Sequence, residues 1–501
     1  MVKHKHLIAV INAETDERMT YEELAQKTAG VALSLTRIGV RKGDVVSVCS
    51  EKRLEVLPTI LGVMCSAAVF SPMDLTYGAI PLLHRLKIVR PKVMFCSGAA
   101  YVTHRSTFES VGSIERYVLY DNVDQDGVHL FHHFLVHDVR VEEFEPTPVD
   151  GWMDNVLIVY SSGTTGLPKG VPLTHHSFQL SSQNMVPDSY HGLSVLITRE
   201  WYYSYGLIYT LSCLRACATV VYYTSSKEEV MLQAVQKYKT EVVQLAPTTI
   251  MELIKSTILD EYDLSSMKWM ISCSSPIRAD AIEAIKKRIP ILKDVMQMYG
   301  MSETGILTHE MFAPLGCRPG SSGVASMGIV IKIVDIVTRE PLGPNQHGEL
   351  CVKGPCVMKA YSNNVSPNCK DSEGFLISGD VAYYDEDGYF YIVNRIKELI
   401  KYSDVSIAPA EFEAILEQHG AVREAGVIGM PHPKHGEAPV AFVALQPGLT
   451  ATEDELVEYL HSRVTFRMRL AGGVRFVDKL PRGAGDKLDR QALKRMLQLT
   501  S

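Results

Sequence analysis

Residues 156–170 read Val156-Leu157-Ile158-Val159-Tyr160-Ser161-Ser162-Gly163-Thr164-Thr165-Gly166-Leu167-Pro168-Lys169-Gly170. The first five have the length and composition of a buried strand. The ten that follow hold two hydroxyl pairs, three glycines and a single lysine. A strand opening into such a loop suits a phosphate. Glycines let backbone N–H groups approach the anion, hydroxyls donate hydrogen bonds, and lysine adds a point charge. It is not a Walker loop, because no Gly-Lys-Ser/Thr stands four residues after a glycine. A flexible surface turn uses the same residue types, so the stretch must be weighed with the rest of the chain.

The chain has 501 residues, long enough for two or more domains. Its 46% hydrophobic and 21% charged content suits a soluble globular protein. A net charge of −7 gives no reason to expect nucleic acid as a partner. No apolar run approaches the ~18 residues of a transmembrane segment, and the start lacks the apolar core of a signal peptide. The ten cysteines include no Cys-x-x-Cys pair and read as free thiols. Without a Ser-Lys-Leu type of ending, the expected compartment is the cytoplasm.

Strand and helix patterns alternate from Thr20 to Ser256, which predicts an α/β layer architecture. Thr20-Tyr21-Glu22-Glu23 is a capping box opening a helix to about Ile38. After Gly320 short β segments separated by Gly, Pro, Asn and Asp predict a β-rich subdomain. Beyond Arg395 a compact α+β unit is expected, with Pro409 in the first turn of one helix and Thr452-Glu453-Asp454-Glu455 capping another. The expected division is 1–394 for a large domain and 395–501 for a small lid.

Four further groups carry polar chemistry. Gln297-Met298-Tyr299-Gly300-Met301-Ser302-Glu303-Thr304 sets an aromatic ring beside glycine, with Glu303 as a hard oxygen ligand for Mg²⁺; alone it also reads as a simple Tyr-Gly turn. Asp380, in Ser378-Gly379-Asp380, has the chemistry to accept both ribose hydroxyls, or to cap a turn. Asn394-Arg395-Ile396-Lys397-Glu398-Leu399-Ile400-Lys401 places three bases about an apolar centre, as any amphipathic segment does. Lys487 follows a glycine-rich loop, Pro481-Arg482-Gly483-Ala484-Gly485-Asp486, and by itself is one more solvated lysine.

In this order and spacing, the five groups resemble the adenylate-forming superfamily: acyl-CoA synthetases, 4-coumarate–CoA ligases, beetle luciferases and peptide-synthetase adenylation domains. The resemblance covers roughly 19–490. It implies a large domain of layered α/β subdomains plus a β-rich subdomain, and a small, mobile α+β C-terminal domain. It also implies activation of a carboxylic acid, fatty or aryl, by ATP and Mg²⁺ to an acyl-adenylate, with transfer to coenzyme A. By resemblance, Ser161, Ser162, Gly163, Thr164, Thr165, Gly166 and Lys169 hold the β- and γ-phosphates. Gln297, Met298 and Tyr299 bracket adenine, Ser302 touches phosphate and Glu303 binds Mg²⁺. Asp380 and Arg395 grip the ribose. Lys487 bridges carboxylate and α-phosphate, Lys397 is the hinge, and Lys401 serves the second half-reaction.

Several positions depart from that pattern. Tyr203, in Trp201-Tyr202-Tyr203-Ser204-Tyr205, stands where the superfamily has a gating histidine; a phenol cannot act as a neutral base near pH 7. Cys273-Ser274, ahead of Ser275, replaces a glycine pair of the acyl pocket, whose expected lining is Tyr203, Tyr205, Cys273, Ser274, Ser275 and Gly300. Tyr402-Ser403-Asp404 replaces Tyr-Lys-Gly after Lys401 and weakens the expectation of coenzyme A. Two other readings are a luciferase-type monooxygenase, favoured by Leu470–Asp478, and a degenerate non-catalytic nucleotide-binding protein.

Overall fold

In the computed structural model, residues 4–121, 127–161, 168–273, 275–362, 369–402, 405–464, 469–483 and 487–500 are described. The apolar run at 156–160 is the body of a strand, Asn155–Ser161, that pairs antiparallel with Lys169–Thr174, Ser161 standing opposite Lys169. The hydroxyl-rich stretch is therefore the connection of a hairpin; its residues Ser162 to Leu167 lie outside the described residues.

That hairpin forms one edge of a seven-stranded sheet. A nine-stranded sheet lies beyond a layer of helices. The centres of both sheets are parallel. Central strands such as Val69–Met73 and Val242–Leu245 are buried along their whole length, as parallel strands covered on both faces must be. Helices Tyr21–Arg37, Val56–Cys65, His175–Met185 and Ser204–Arg215 fill the space between the sheets, where Leu24, Val31, Leu57, Ile60, Leu207 and Leu211 join the largest core. Helices Ala79–Val89 and Gly98–Ser110 cover the outer face of one sheet, and Glu228–Tyr238, Pro247–Lys255 and Ala279–Arg288 that of the other. The order is helix, sheet, helix, sheet, helix.

Thr20 makes both halves of its capping box, and Thr452 does the same, so both predicted helix starts are set by local chemistry. Past residue 320 the chain builds a four-stranded antiparallel sheet, Val330–Val334, Gly348–Lys353, Leu376–Tyr384 and Phe390–Arg395. From Ile400 onward a separate five-stranded sheet carries helices Pro409–Leu416 and Glu453–His461 over its own core of Phe412, Leu416, Val427, Val443 and Leu456. The expected α/β class with a β-rich subdomain and an α+β C-terminal unit is what the structure shows.

His309 ends the strand Gly305–His309 and is 1% exposed. Its Nδ1 accepts from the Met311 N–H at 2.8 Å, so the neutral ring is the form the fold uses. Burial pulls its pKa from 6.5 down to about 4. The unfolded chain takes up this proton first. Stability from the neutral ring is therefore full above about pH 6.5 and is lost as pH falls to about 4, a change of about 3 kcal/mol. His309→Gln is expected to flatten this part of the acid slope, read as a smaller drop in thermal midpoint between pH 7 and pH 5 than in the parent.

Candidate functional site

The site forms where the sheets meet. Strand Asp294–Met301 turns into Gly305–His309 through a tight turn in which the Thr304 N–H bonds the Met301 carbonyl at 3.1 Å. Only glycine fits its base: a Cβ on Gly300 would stand 2.3 Å from the Gly305 carbonyl oxygen, and Gly305 has φ +65°. The central turn residues are Ser302 and Glu303. Ser302 Oγ donates to the Tyr160 carbonyl at 3.2 Å, tying this turn of the nine-stranded sheet to the residue that leads into the hydroxyl-rich connection. Glu303 is 7% exposed rather than the exposed residue a simple turn would present, and its Oε1 accepts from the Tyr361 hydroxyl at 2.8 Å. Lys169 Nζ lies 4.9 Å from the Tyr361 ring centre. Glu303 and Lys169 thus both meet one tyrosine, Lys169 from the first position of the strand Lys169–Thr174. Arg85 packs on Tyr160 at 4.6 Å and on Tyr77 at 4.1 Å.

Gln297 does less at the surface of the site than expected. Its Oε1 accepts from the Ile277 N–H and its Nε2 donates to the Ser321 carbonyl, both at 2.7 Å. The side chain braces the strand, and Met298 is buried beside it. Tyr299 turns toward the four-stranded sheet and donates its hydroxyl to Asp380 Oδ2 at 2.6 Å. Asp380 is not at a turn but within strand Leu376–Tyr384, 3% exposed and paired across the ladder with Arg395. Arg395 Nε meets its Oδ1 at 3.1 Å. Burial pushes the Asp380 carboxyl above its usual range, against the pull of Arg395 and Tyr299.

Lys487 comes from the C-terminal unit into the field of Arg395, Asp380, Glu398 and Cys273. Its surface is open to solvent while protein atoms crowd round it, as in a cleft. Loss of hydration, then repulsion from Arg395, lowers its pKa. Arg490 secures this placement, bonding Glu398 at 3.1 Å and Glu413 at 2.5 Å and so joining the C-terminal helix to the segment after Arg395. Lys397 also has a lowered pKa, from burial and from Arg395. Lys401 is exposed, and its N–H donates to Glu437 at 2.8 Å.

The segment Trp201–Gly206 comes near Cys273 through Tyr205. A Cβ on Gly206 would sit 2.4 Å from the Glu200 carbonyl oxygen, so the helix Ser204–Arg215 starts pressed against the end of strand Ser194–Ile197. The Tyr203 hydroxyl reaches Asp74 Oδ2 at 3.4 Å, and Tyr205 lies within the field of Cys273. Ser275 is exposed; Ser274 lies outside the described residues.

Residues 1–362 match the family model described as AMP-binding enzyme, and residues 411–487 match that of the AMP-binding enzyme C-terminal domain. The chain belongs to the AMP-binding enzymes. Among its relatives, luciferin 4-monooxygenase of Photinus pyralis is 34% identical over 98% of this chain and 91% of its own length. The 4-coumarate–CoA ligase 1 of Petroselinum crispum is 32% identical over 97% of this chain and 90% of its own. Among solved structures, ATP-bound MatB from Rhodopseudomonas palustris superposes with a TM-score of 0.87 at 25% identity, covering 99% of this chain and 96% of that one. This AMP-binding enzyme thus shares its fold, over nearly its whole length, with adenylate-forming proteins.

Tyr361, Arg85 and Asp74 were not singled out by the sequence reading. Each is an isolated residue outside a motif, and only its position against Glu303, Lys169, Tyr160 or Tyr203 marks it. The geometry makes Tyr299 more than a ring. Tyr299→Phe leaves the buried Asp380 with Arg395 alone and is expected to cost about 1–3 kcal/mol. A lower thermal midpoint checks this; an unchanged midpoint would mean that the hydroxyl contributes nothing to holding the carboxylate.

Proposed function

We propose that this chain activates a carboxylic acid with ATP, forming an acyl-adenylate and releasing pyrophosphate, and then passes the acyl group to coenzyme A. The supporting observation is the position of Lys487, brought by the C-terminal unit into the field of the Asp380–Arg395 pair while Lys169 and Glu303 meet at Tyr361. A carboxylate attacking the α-phosphorus and a departing pyrophosphate both concentrate negative charge there, and fixed cations and donors lower that barrier. In this reading Ser161, Lys169 and the residues between them hold the β- and γ-phosphates. Ser302 adds a hydroxyl, Tyr299 backs the adenine, and Asp380 with Arg395 receives the ribose. Lys487 holds the attacking carboxylate against the α-phosphate.

Glu303 suits Mg²⁺. Tyr361 fixes one of its oxygens and leaves the other without a protein hydrogen bond among the described residues, which also contain no cluster of three or more His, Cys, Asp or Glu ligands. Mg²⁺ characteristically takes one or two protein carboxylates and completes its shell with phosphate and water; bound there, it would neutralise phosphate charge. The large domain is assigned to 1–394 and the lid to 395–501, with Lys397 at the hinge and Lys401 entering after rotation. Ser403 and Asp404 lie outside the described residues.

A luciferase-type oxygenase is the second reading, motivated by the 34% identity to the Photinus protein. The stretch Ser181–Asp188, which by resemblance aligns with the luciferin-binding arginine of luciferases, contains no arginine and argues against it. Light from supplied luciferin and ATP would support that reading, and little or none is expected. A non-catalytic nucleotide binder would bind ATP yet release no pyrophosphate with any acid of a broad panel.

Lys487→Ala is expected to abolish acid-dependent pyrophosphate release while ATP binding persists in calorimetry. Lys401→Ala is expected to spare pyrophosphate release and stop acyl transfer to coenzyme A, followed as thioester formation. Because the Lys487 ammonium is the active form and its pKa is lowered, pyrophosphate release should fall as pH rises through a value below the ordinary lysine range. An alkaline limb at the ordinary lysine pKa would contradict the assignment.

A further inference from the structure

Strands Ser194–Ile197, Val242–Leu245 and Trp269–Ser272 run side by side, with Ile197 opposite Gln244 and Gln244 opposite Ile271. These three residues share the face covered by helix Ser204–Arg215, because Ile197 and Ile271 pack into the same core as Leu207 and Leu211. Cys273, two residues beyond Ile271, joins that core too, and alternation puts Arg199, two beyond Ile197, on the same side. Gln244 is fully buried. Its Oε1 accepts from the Thr198 and Arg199 N–H groups, both at 3.2 Å. Two backbone donors on one side settle which amide atom is the oxygen. The Nε2 donor therefore points the other way, toward the Tyr205 hydroxyl, and makes no close hydrogen bond among the described residues.

Two more buried donors lie in the same place. The Tyr205 oxygen faces the Gln244 amide as a distant acceptor, which leaves the Tyr205 hydroxyl proton without an acceptor among the described residues, and Arg199 Nε is buried and likewise unbonded there. Glu200, next to Arg199, stands 3.3 Å from the buried Lys52 and feels the Arg199 charge, but makes no hydrogen bond to Arg199 Nε. Buried donors without acceptors are costly, and a group of them at one point is matched by an acceptor brought from outside. In the adenylation reading Cys273 and Tyr205 line the acid pocket, and Gln244 lies beside Tyr205 on the face that shares their core, so the part of the acid remote from its reacting carboxyl group meets these donors.

We infer that the acid activated here carries an oxygen acceptor at the end remote from its reacting carboxyl group, received by Gln244, Tyr205 and Arg199. This rests on the adenylation reading and narrows its substrate to hydroxy-, oxo- or dicarboxylic acids.

The test uses matched acids on the full chain: hexanoate against 6-hydroxyhexanoate and adipate, and benzoate against para-hydroxybenzoate. Within at least one set, an oxygenated acid should release pyrophosphate with kcat/KM about tenfold or more above its apolar partner. Gln244→Leu should bring that ratio toward one. Arg199→Met should reduce adipate more than 6-hydroxyhexanoate if a carboxylate is the natural acceptor, and both alike if a hydroxyl is. Tyr205→Phe, which removes a single hydroxyl, replaces Gln244→Leu if the latter does not fold. Apolar acids equal or better in the parent, or ratios unmoved by these substitutions, overturn the inference. If no acid releases pyrophosphate, the adenylation reading fails, and calorimetric binding of the same sets decides the pocket separately. Preferential binding of oxygenated acids that Gln244→Leu abolishes upholds it; equal binding, or no binding of any oxygenated acid, overturns it.

Discussion

One buried carboxylate holds the site together. Asp380 is almost fully enclosed, and an enclosed carboxylate costs several kcal/mol unless it is paired and hydrogen-bonded. Arg395 supplies the pair from the neighbouring strand, and Tyr299 supplies the hydrogen bond from another sheet. Satisfying this charge therefore fixes the four-stranded sheet against the end of the nine-stranded one. The same charge, with Glu398, offsets part of the cost of bringing the Lys487 ammonium into the cleft. Three separately built parts of the chain converge because one anion would otherwise be stranded.

Backbone contacts that admit no side chain reinforce this convergence. A Cβ on Gly323 would lie 2.1 Å from the His309 carbonyl carbon, and Gly323 has φ +91°. Its carbonyl accepts from Phe390 at 2.8 Å, at the start of the strand that ends with Arg395. Gln297 adds its amide bond to Ser321, two residues before Gly323. A residue read as an adenine contact is thus also the strut that places Tyr299 and Asp380 at hydrogen-bonding distance. Gly300 and Gly305 play the corresponding part for the turn that carries Ser302 and Glu303.

The fold was readable wherever the local signal and the packing agree. Both capping boxes formed, Pro409 opens its helix, and the apolar run before Ser161 is a strand. Adding the family resemblance gathered Lys169, Ser302, Glu303, Asp380, Arg395 and Lys487 in one region. Sequence alone misplaced local context: Asp380 was set at a turn and lies mid-strand, because its ladder partner Arg395 is distant from it in a motif sense and only strand pairing unites them. Tyr361, Asp74, Arg199 and Gln244 carried no pattern at all. Their meaning depends on which atoms face them, and that is a property of register between strands far apart in the chain.

Under the proposed adenylation reading the site has a nucleotide half and an acid half, and their polar atoms are treated differently. On the nucleotide side Gln297, Tyr299, Asp380 and Glu303 already hold protein partners, so they are stiff before any ligand arrives. Preorganised dipoles of this kind cost no reorganisation when charge develops on a phosphate. On the acid side Gln244, Tyr205 and Arg199 keep buried donors unmatched among the described residues. A fold tolerates that cost where a ligand repays it, and the penalty falls again on any acid that brings no acceptor. Rigid, satisfied groups at the nucleotide serve every substrate alike. On the proposed reading, selection among acids then falls to the few donors that remain unsatisfied until an acid supplies their acceptor.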